Sequence, residues 1–157
     1  MRFRQFGFTL IELVITVAII GLLASIAAPL TETVVRRSKE QELKAALTGM
    51  RDAIDAYKDA VDNGRIQKAV GESGYPPSLD VLVKGVIDRR SPIGEKIYFL
   101  RRIPRDPMAD PGTPPEQTWS LRSYDSPPDA PSAGRDVFDV RSLADGKALD
   151  GTLYREW

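Results

Sequence analysis

The chain opens on an apolar run. From Phe8 to Pro29 almost every residue is hydrophobic or small, interrupted by Thr9, Glu12, Thr16 and Ser25. A helix of ~20 such residues crosses a bilayer. Glu12 stands inside this run, and a charge near the centre of a spanning helix costs about 2.5–3.5 kcal/mol, so a partner or a function is expected of it. Ala24-Ser25-Ile26-Ala27-Ala28 imitates a signal-peptide cleavage site, but it comes late and is followed by Pro29. Past the run, Leu43, Leu47, Met50, Ile54, Tyr57 and Val61 recur at helical spacing, with Lys44, Arg51, Asp52, Asp55, Lys58 and Asp59 between them. This predicts an amphipathic continuation of the same helix. A coiled-coil seam is the alternative, but six positions are too few for one, so the stripe is expected to pack on the chain's own later segments. Asn63-Gly64 is a natural stop. A helix from Phe8 to about Asp62 is ~80 Å long at 1.5 Å per residue. Pro29 removes one backbone N–H and crowds the carbonyl of Ser25. Gly21 adds a second weak point, and the pair predicts a kink.

The second half alternates short apolar segments with turns. Ser78 is placed to cap a short helix carrying Leu79, Leu82 and Val83, with Gly85 as its end. Ile97-Tyr98-Phe99-Leu100 is a brief apolar run. Thr118–Tyr124 alternates so that Trp119 and Leu121 share a face, and Asp136–Arg141 puts Phe138 and Val140 together. The intervening loop holds Pro127, Pro128 and Pro131 and is too long for a tight hairpin. Thr152–Arg155 is a candidate third strand. A small antiparallel sheet with one apolar face needs cover, and the stripe over 43–61 supplies it. The expected class is α+β: a long N-terminal helix, first transmembrane and then amphipathic, packed on a small antiparallel sheet.

Composition narrows the chemistry. With 157 residues the chain suits one modest domain beside a membrane segment. It has no cysteine and no histidine, which removes disulfides, thiolate metal sites and the commonest general base and metal ligand. The formal net charge is zero, which argues against nucleic acid as a partner. The cluster Arg101, Arg102, Arg105 therefore reads as a solvated or intersubunit salt-bridging loop. Asp125 and Asp129 are a carboxylate pair of the kind used for acid–base catalysis, but they flank Pro127-Pro128 in a loop, and no hydrolase elbow or nucleotide-binding motif accompanies them. No catalytic residue is assigned.

Arg4-Gln5-Phe6-Gly7-Phe8-Thr9-Leu10-Ile11-Glu12 resembles the class III signal of type IV pilins and type II secretion pseudopilins. The resemblance implies a pilin-like fold and a prepilin peptidase that cuts between Gly7 and Phe8 and methylates the new Phe8 amine. It divides the chain into a leader (1–7), a transmembrane and assembly half of the first helix (8–30) and a periplasmic domain (31–157). Arg2 and Arg4 precede the apolar run, but Arg36, Arg37 and Lys39 follow it, so charge alone leaves the orientation open. The resemblance implies a single pass through the inner membrane with the N-terminus cytoplasmic. It also implies that Glu12 meets the Phe8 amine of a neighbouring subunit; pairing with the amine of its own chain is the alternative. The helix loosens in this region in assembled filaments of the family, and the resemblance makes Gly21 to Pro29 the candidate stretch here.

Tyr75-Pro76, Leu79 with Leu82-Val83, Arg102-Ile103-Pro104-Arg105-Asp106-Pro107 and the ending from Asp136-Val137-Phe138-Asp139-Val140 to Trp157 are similar to the G-type major pseudopilin group. That group implies a short helical filament of identical subunits that helps export folded proteins, driven by a cytoplasmic ATPase. Its expected partners are minor pseudopilins, the prepilin peptidase, an inner-membrane assembly platform and membrane lipid. Adhesive type IV pilins, the alternative, usually close their last loop with a cysteine pair, which this chain lacks. Two features depart from the group. Met108 stands where many members have Trp, and the terminal loop, where many members bind calcium, offers only Ser142, Asp145, Asp150 and backbone carbonyls. Calcium takes six to eight oxygens, so this supply is thin, and no metal ligand is assigned. Without calcium, Trp157 packing back on the domain is expected to fix the loop.

Overall fold

The computed structural model of the chain describes residues 8–157, without the side chains of residues 26–30. One helix, α1 (Leu10–Asp62), runs through two compact units, Met1–Ser38 and Lys39–Trp157. It starts at Leu10 rather than Phe8, because Thr9 is its N-cap. It ends as expected, with Gly64 at φ 71° turning the chain away. The helix runs without interruption across Gly21 and Pro29, and the side chain of Pro29 lies outside the described residues.

In the second unit the helical period decides what is buried. Leu43, Leu47, Met50, Ile54, Tyr57 and Val61 are all 7% exposed or less. Asp52, Asp55 and Asp59, on the other side of the helix, are exposed. The buried stripe forms a single core with Ile66, Leu79, Leu82, Trp119, Val137, Val140, Ala148 and Tyr154. Burying each such large apolar side chain contributes roughly 1.5–3 kcal/mol, and this core is what holds the second unit together.

The remaining elements are short. Helix α2 (Leu79–Lys84) buries Leu79 and Leu82. Ser78 precedes it in extended conformation but makes no side-chain cap bond, contrary to the expectation from its identity. Gly85 ends the helix at φ 73°, and a Cβ there would stand 2.8 Å from the Tyr98 ring, so both backbone angle and space require glycine. A hairpin that the sequence pattern does not announce follows: β1 (Val86–Ile87) pairs antiparallel with β2 (Lys96–Ile97). The apolar run after β2 turns inward. Phe99 and Leu100 both donate backbone N–H bonds to the Leu82 carbonyl at 3.0 Å, and Phe99 meets Tyr57 edge-on at 5.4 Å.

The second ladder joins β3 (Trp119–Arg122) to β4 (Asp139–Ser142), antiparallel, with Trp119 opposite Ser142 and Leu121 opposite Val140. The sheet is thus two separate two-stranded ladders. The expected face of β4 is corrected in part. The strand begins only at Asp139, so alternation does not reach back to Phe138. Val137, held by an N–H bond to the Pro76 carbonyl at 2.8 Å, is buried beside Val140. Phe138 instead joins Tyr75 and Tyr124 in an aromatic cluster with centroids 5.0–5.6 Å apart. The expected third strand at 152–155 is also corrected: a single bridge pairs Lys147 with Leu153, and Tyr154–Glu156 is a 3-10 turn.

Candidate assembly site at the start of the first helix

The first turn of α1 is built around Thr9 and Glu12. The Thr9 hydroxyl accepts the Glu12 N–H at 3.3 Å, and the Glu12 carboxylate accepts the Thr9 N–H at 3.5 Å. Two donors that the helix start would leave orphaned are satisfied reciprocally, the arrangement of a capping box. Thr16 donates its hydroxyl to the Glu12 carbonyl at 2.5 Å, tying the second turn to the first. Thr9 is a residue the sequence reading leaves without a role. The Thr-x-x-Glu spacing before an apolar run is the signal that finds it.

Around this cap the surface is apolar. Phe8 and Leu10 are each 82% exposed, and Ile11, Leu13, Val14, Ile15, Val17, Ile19, Ile20, Leu22 and Leu23 are also exposed. Soluble monomers rarely leave so large a contiguous apolar surface bare. Glu12 is the one carboxylate in this sleeve, and the first-turn position favours its negative charge. Gly7 lies outside the described residues, and so does the Pro29 side chain. Among the described residues no helix is long and apolar enough to cross a membrane. The expected span over 8–30 runs into residues 26–30, whose side chains are outside the description.

The other candidates sit elsewhere. Arg101 and Arg102 are exposed, and Arg105 donates to the Asp110 carbonyl within its own loop. Asp125 pairs with Arg135 at 2.9 Å on the surface, and Asp129 is exposed. Of the residues considered for calcium, Asp145 is exposed, whereas Asp150 and Ser142 hold bonds within the chain. Asp150 accepts both the N–H and the hydroxyl of Thr152, at 3.0 and 2.6 Å, and these bonds hold its carboxyl below the usual carboxylate range. Ser142 donates to the buried Asp106 at 2.5 Å and accepts the Ala144 N–H at 3.0 Å. Among the described residues no cluster of three or more carboxylates is placed to hold a metal ion. These donors do not fit a calcium site.

Two further carboxylates link distant segments. Asp88 accepts two bonds from the Arg65 guanidinium, at 2.6 and 3.0 Å, and one from the Arg90 N–H, and these hold its carboxyl below its ordinary range. Burial alone would raise Asp136, but hydrogen bonds from Ser73, the Tyr124 N–H and Ser123 outweigh it, and its carboxyl is also lowered. Carboxyls lowered in the folded state stabilise it fully above the unfolded value of about 3.9, and that contribution is lost as pH falls through the lowered folded values. Urea unfolding of the full chain in detergent is therefore expected to show a flat midpoint near neutrality and a steep fall below about pH 4. Asp136→Asn should lower the midpoint at neutral pH and flatten that acid limb.

The first-helix motif is found in other proteins. Residues 2–28 match the family model described as the prokaryotic N-terminal methylation motif. The type II secretion system core protein G of Aeromonas hydrophila is 30% identical over 112 residues, covering 69% of this chain and 71% of the relative. The protein of the same name from Pseudomonas aeruginosa is 31% identical, covering 70% of this chain and 72% of the relative. The type IV major fimbrial protein FimA of Dichelobacter nodosus is 47% identical over 55 residues, which is 35% of either chain. No solved structure matches. The core protein G matches reach well past the first-helix motif and take in most of either chain; on that extent, the chain belongs to the family of the type II secretion system core protein G.

Proposed function

We propose that this chain is the structural subunit of a type II secretion pseudopilus, a periplasmic filament that helps export folded proteins. The single observation that carries this is the bare apolar sleeve of α1 with one carboxylate, Glu12, in its first turn. Such a surface needs either lipid or copies of itself. The prepilin peptidase removes residues 1–7 at Gly7 and methylates Phe8. Residues 8–30 then anchor the subunit in the inner membrane, with residues 31–157 in the periplasm. Within the filament, the Glu12 carboxylate of one subunit pairs with the Phe8 amine of the next, and Pro29 lets the helix adjust. Minor pseudopilins and an inner-membrane platform assist assembly. The role is structural and not catalytic.

The match to a fimbrial protein supports a second reading, a type IV pilin for adhesion, motility or DNA uptake. One experiment separates the two. The gene is deleted in frame, and exoproteins and surface fibres are scored in the same strain. The expected result is that exoproteins accumulate in the periplasm and secretion returns on complementation. Normal secretion with loss of long surface fibres overturns the proposal in favour of the pilin reading. The mass and N-terminal residue of the membrane-extracted protein test processing, with methylated Phe8 expected and retention of Met1–Gly7 contrary to it.

A further inference from the structure

The last segment of the chain, residues 142–157, has little regular structure of its own. Lys147 bridges Leu153, Ala148 donates its N–H to the Thr152 carbonyl at 2.7 Å, and Tyr154 donates its N–H to the Gly146 carbonyl at 3.1 Å. A segment this short does not hold a shape by such bonds alone. Calcium, which the resemblance implies for the corresponding loop in many members of the group, is a poor explanation here. The donors considered there are two carboxylates, Asp145 and Asp150, against the six to eight oxygens calcium takes, and the Ser142 hydroxyl already donates to Asp106.

A different fastening is present. Glu40, Lys44 and Arg51 lie four and seven residues apart along α1, on one side of the helix next to the core stripe. All three reach residues near the end of the chain. Glu40, only 9% exposed, accepts the Leu149 N–H and the Tyr154 hydroxyl on one carboxylate oxygen, each at 2.9 Å. The Lys44 ammonium stands 4.2 Å from the centroid of the Trp157 ring. Arg51 donates to Asp139 at 2.8 Å, to the Val140 carbonyl at 3.1 Å and to the main-chain oxygen of Trp157. Tyr154 and Trp157 meet edge-on at 5.3 Å, and the Trp157 ring N–H donates to Thr152 at 2.7 Å, so the two anchored rings brace each other.

We infer that this stripe of α1, with Glu40 at its centre of effect, is a metal-independent clamp that does for the terminal segment what a calcium ion does in related loops. Glu40 supplies a buried acceptor for two donors of the segment, where an ion would gather the segment's oxygens. Within the segment, Asp150 accepts from Thr152 and Ser142 donates to Asp106. The inference does not depend on how the subunit assembles.

The clamp is tested on the full chain in detergent, with trypsin cleavage at Lys147 as a local readout and tryptophan-monitored thermal unfolding as a global one. Each is measured in millimolar calcium, enough to fill a weak extracellular-type site, and in excess EDTA. The expected result is that wild-type protein is equally protected in both. Loss of hydrogen bonds to a charged, buried acceptor should speed cleavage of Glu40→Ala by about 10- to 100-fold in either condition. Glu40→Gln keeps an acceptor oxygen and should be intermediate. Should Glu40→Ala fail to fold, Tyr154→Phe removes only one hydroxyl and should still speed cleavage several-fold. The inference is overturned if calcium protects Lys147 or raises the melting temperature of the wild-type protein. It is equally overturned if Glu40→Ala and Tyr154→Phe are cleaved at the wild-type rate.

Discussion

Glu12→Ala is expected to leave the protein processed and inserted at normal levels while filaments disappear. The carboxylate lies in an exposed first turn and supports no part of the core, so the single subunit loses only a helix cap, worth ~0.5–2 kcal/mol. In the proposed filament the change is far larger. Packed helices exclude water, and removing one member of a buried ion pair leaves an uncompensated charge at a cost of about 3–5 kcal/mol. That corresponds to a loss of roughly 10²–10⁴ in the equilibrium for adding each subunit. Two companion variants separate the charge from the cap. Glu12→Gln retains the capping-box acceptor but not the charge, and should fail to assemble as Glu12→Ala does. Thr9→Ala loses the hydroxyl side of the cap and keeps the charge, and should assemble. The measurement is the yield of sheared or overproduced filaments at matched membrane levels. Normal yield from Glu12→Gln would remove the charge from the assembly argument.

Ile54→Ala is expected to be the most damaging simple truncation in the second unit. Ile54 is fully buried at the middle of the α1 stripe. Truncating such a side chain costs about 2–5 kcal/mol, part for lost transfer and part for the cavity left behind. Domains have only about 5–15 kcal/mol of stability in total, so the variant should populate unfolded protein under mild denaturant and be lost to proteolysis in cells. Its neighbour Asp55, one residue further round the helix, is exposed, and Asp55→Ala should change stability by less than about 0.5 kcal/mol. Urea unfolding followed by the fluorescence of the buried Trp119 measures both. Equal effects of the two would mean that the stripe is not the core.

The contrast between residues 54 and 55 shows what kind of information the chain carries locally. A helix repeats every 3.6 residues whatever it packs against, so spacing alone marks Leu43 to Val61 as one buried face. The Thr9–Glu12 cap is local for the same reason, since its partners are three residues apart and their chemistry is in their types. The two-residue strands β1 and β2 are too short to show alternation. At Phe138 the period-2 argument fails because the strand has not yet begun. Val137 is pinned by Pro76, a residue far away along the chain, and that bond decides which side chain turns inward.

By itself, then, the order of residues determined the long helix, its buried face, its acidic first turn and the small loop-rich remainder. All of these depend on neighbours within a turn or two. What only the tertiary structure decided is the work of Glu40, Lys44 and Arg51. In the sequence they are charged residues on a helix, equivalent to any facing water. Their partners are 88 to 114 residues away, and no periodicity connects them. Placing a carboxylate under Tyr154 is a consequence of core packing, which brings the end of the chain to α1 before any polar group can choose a partner.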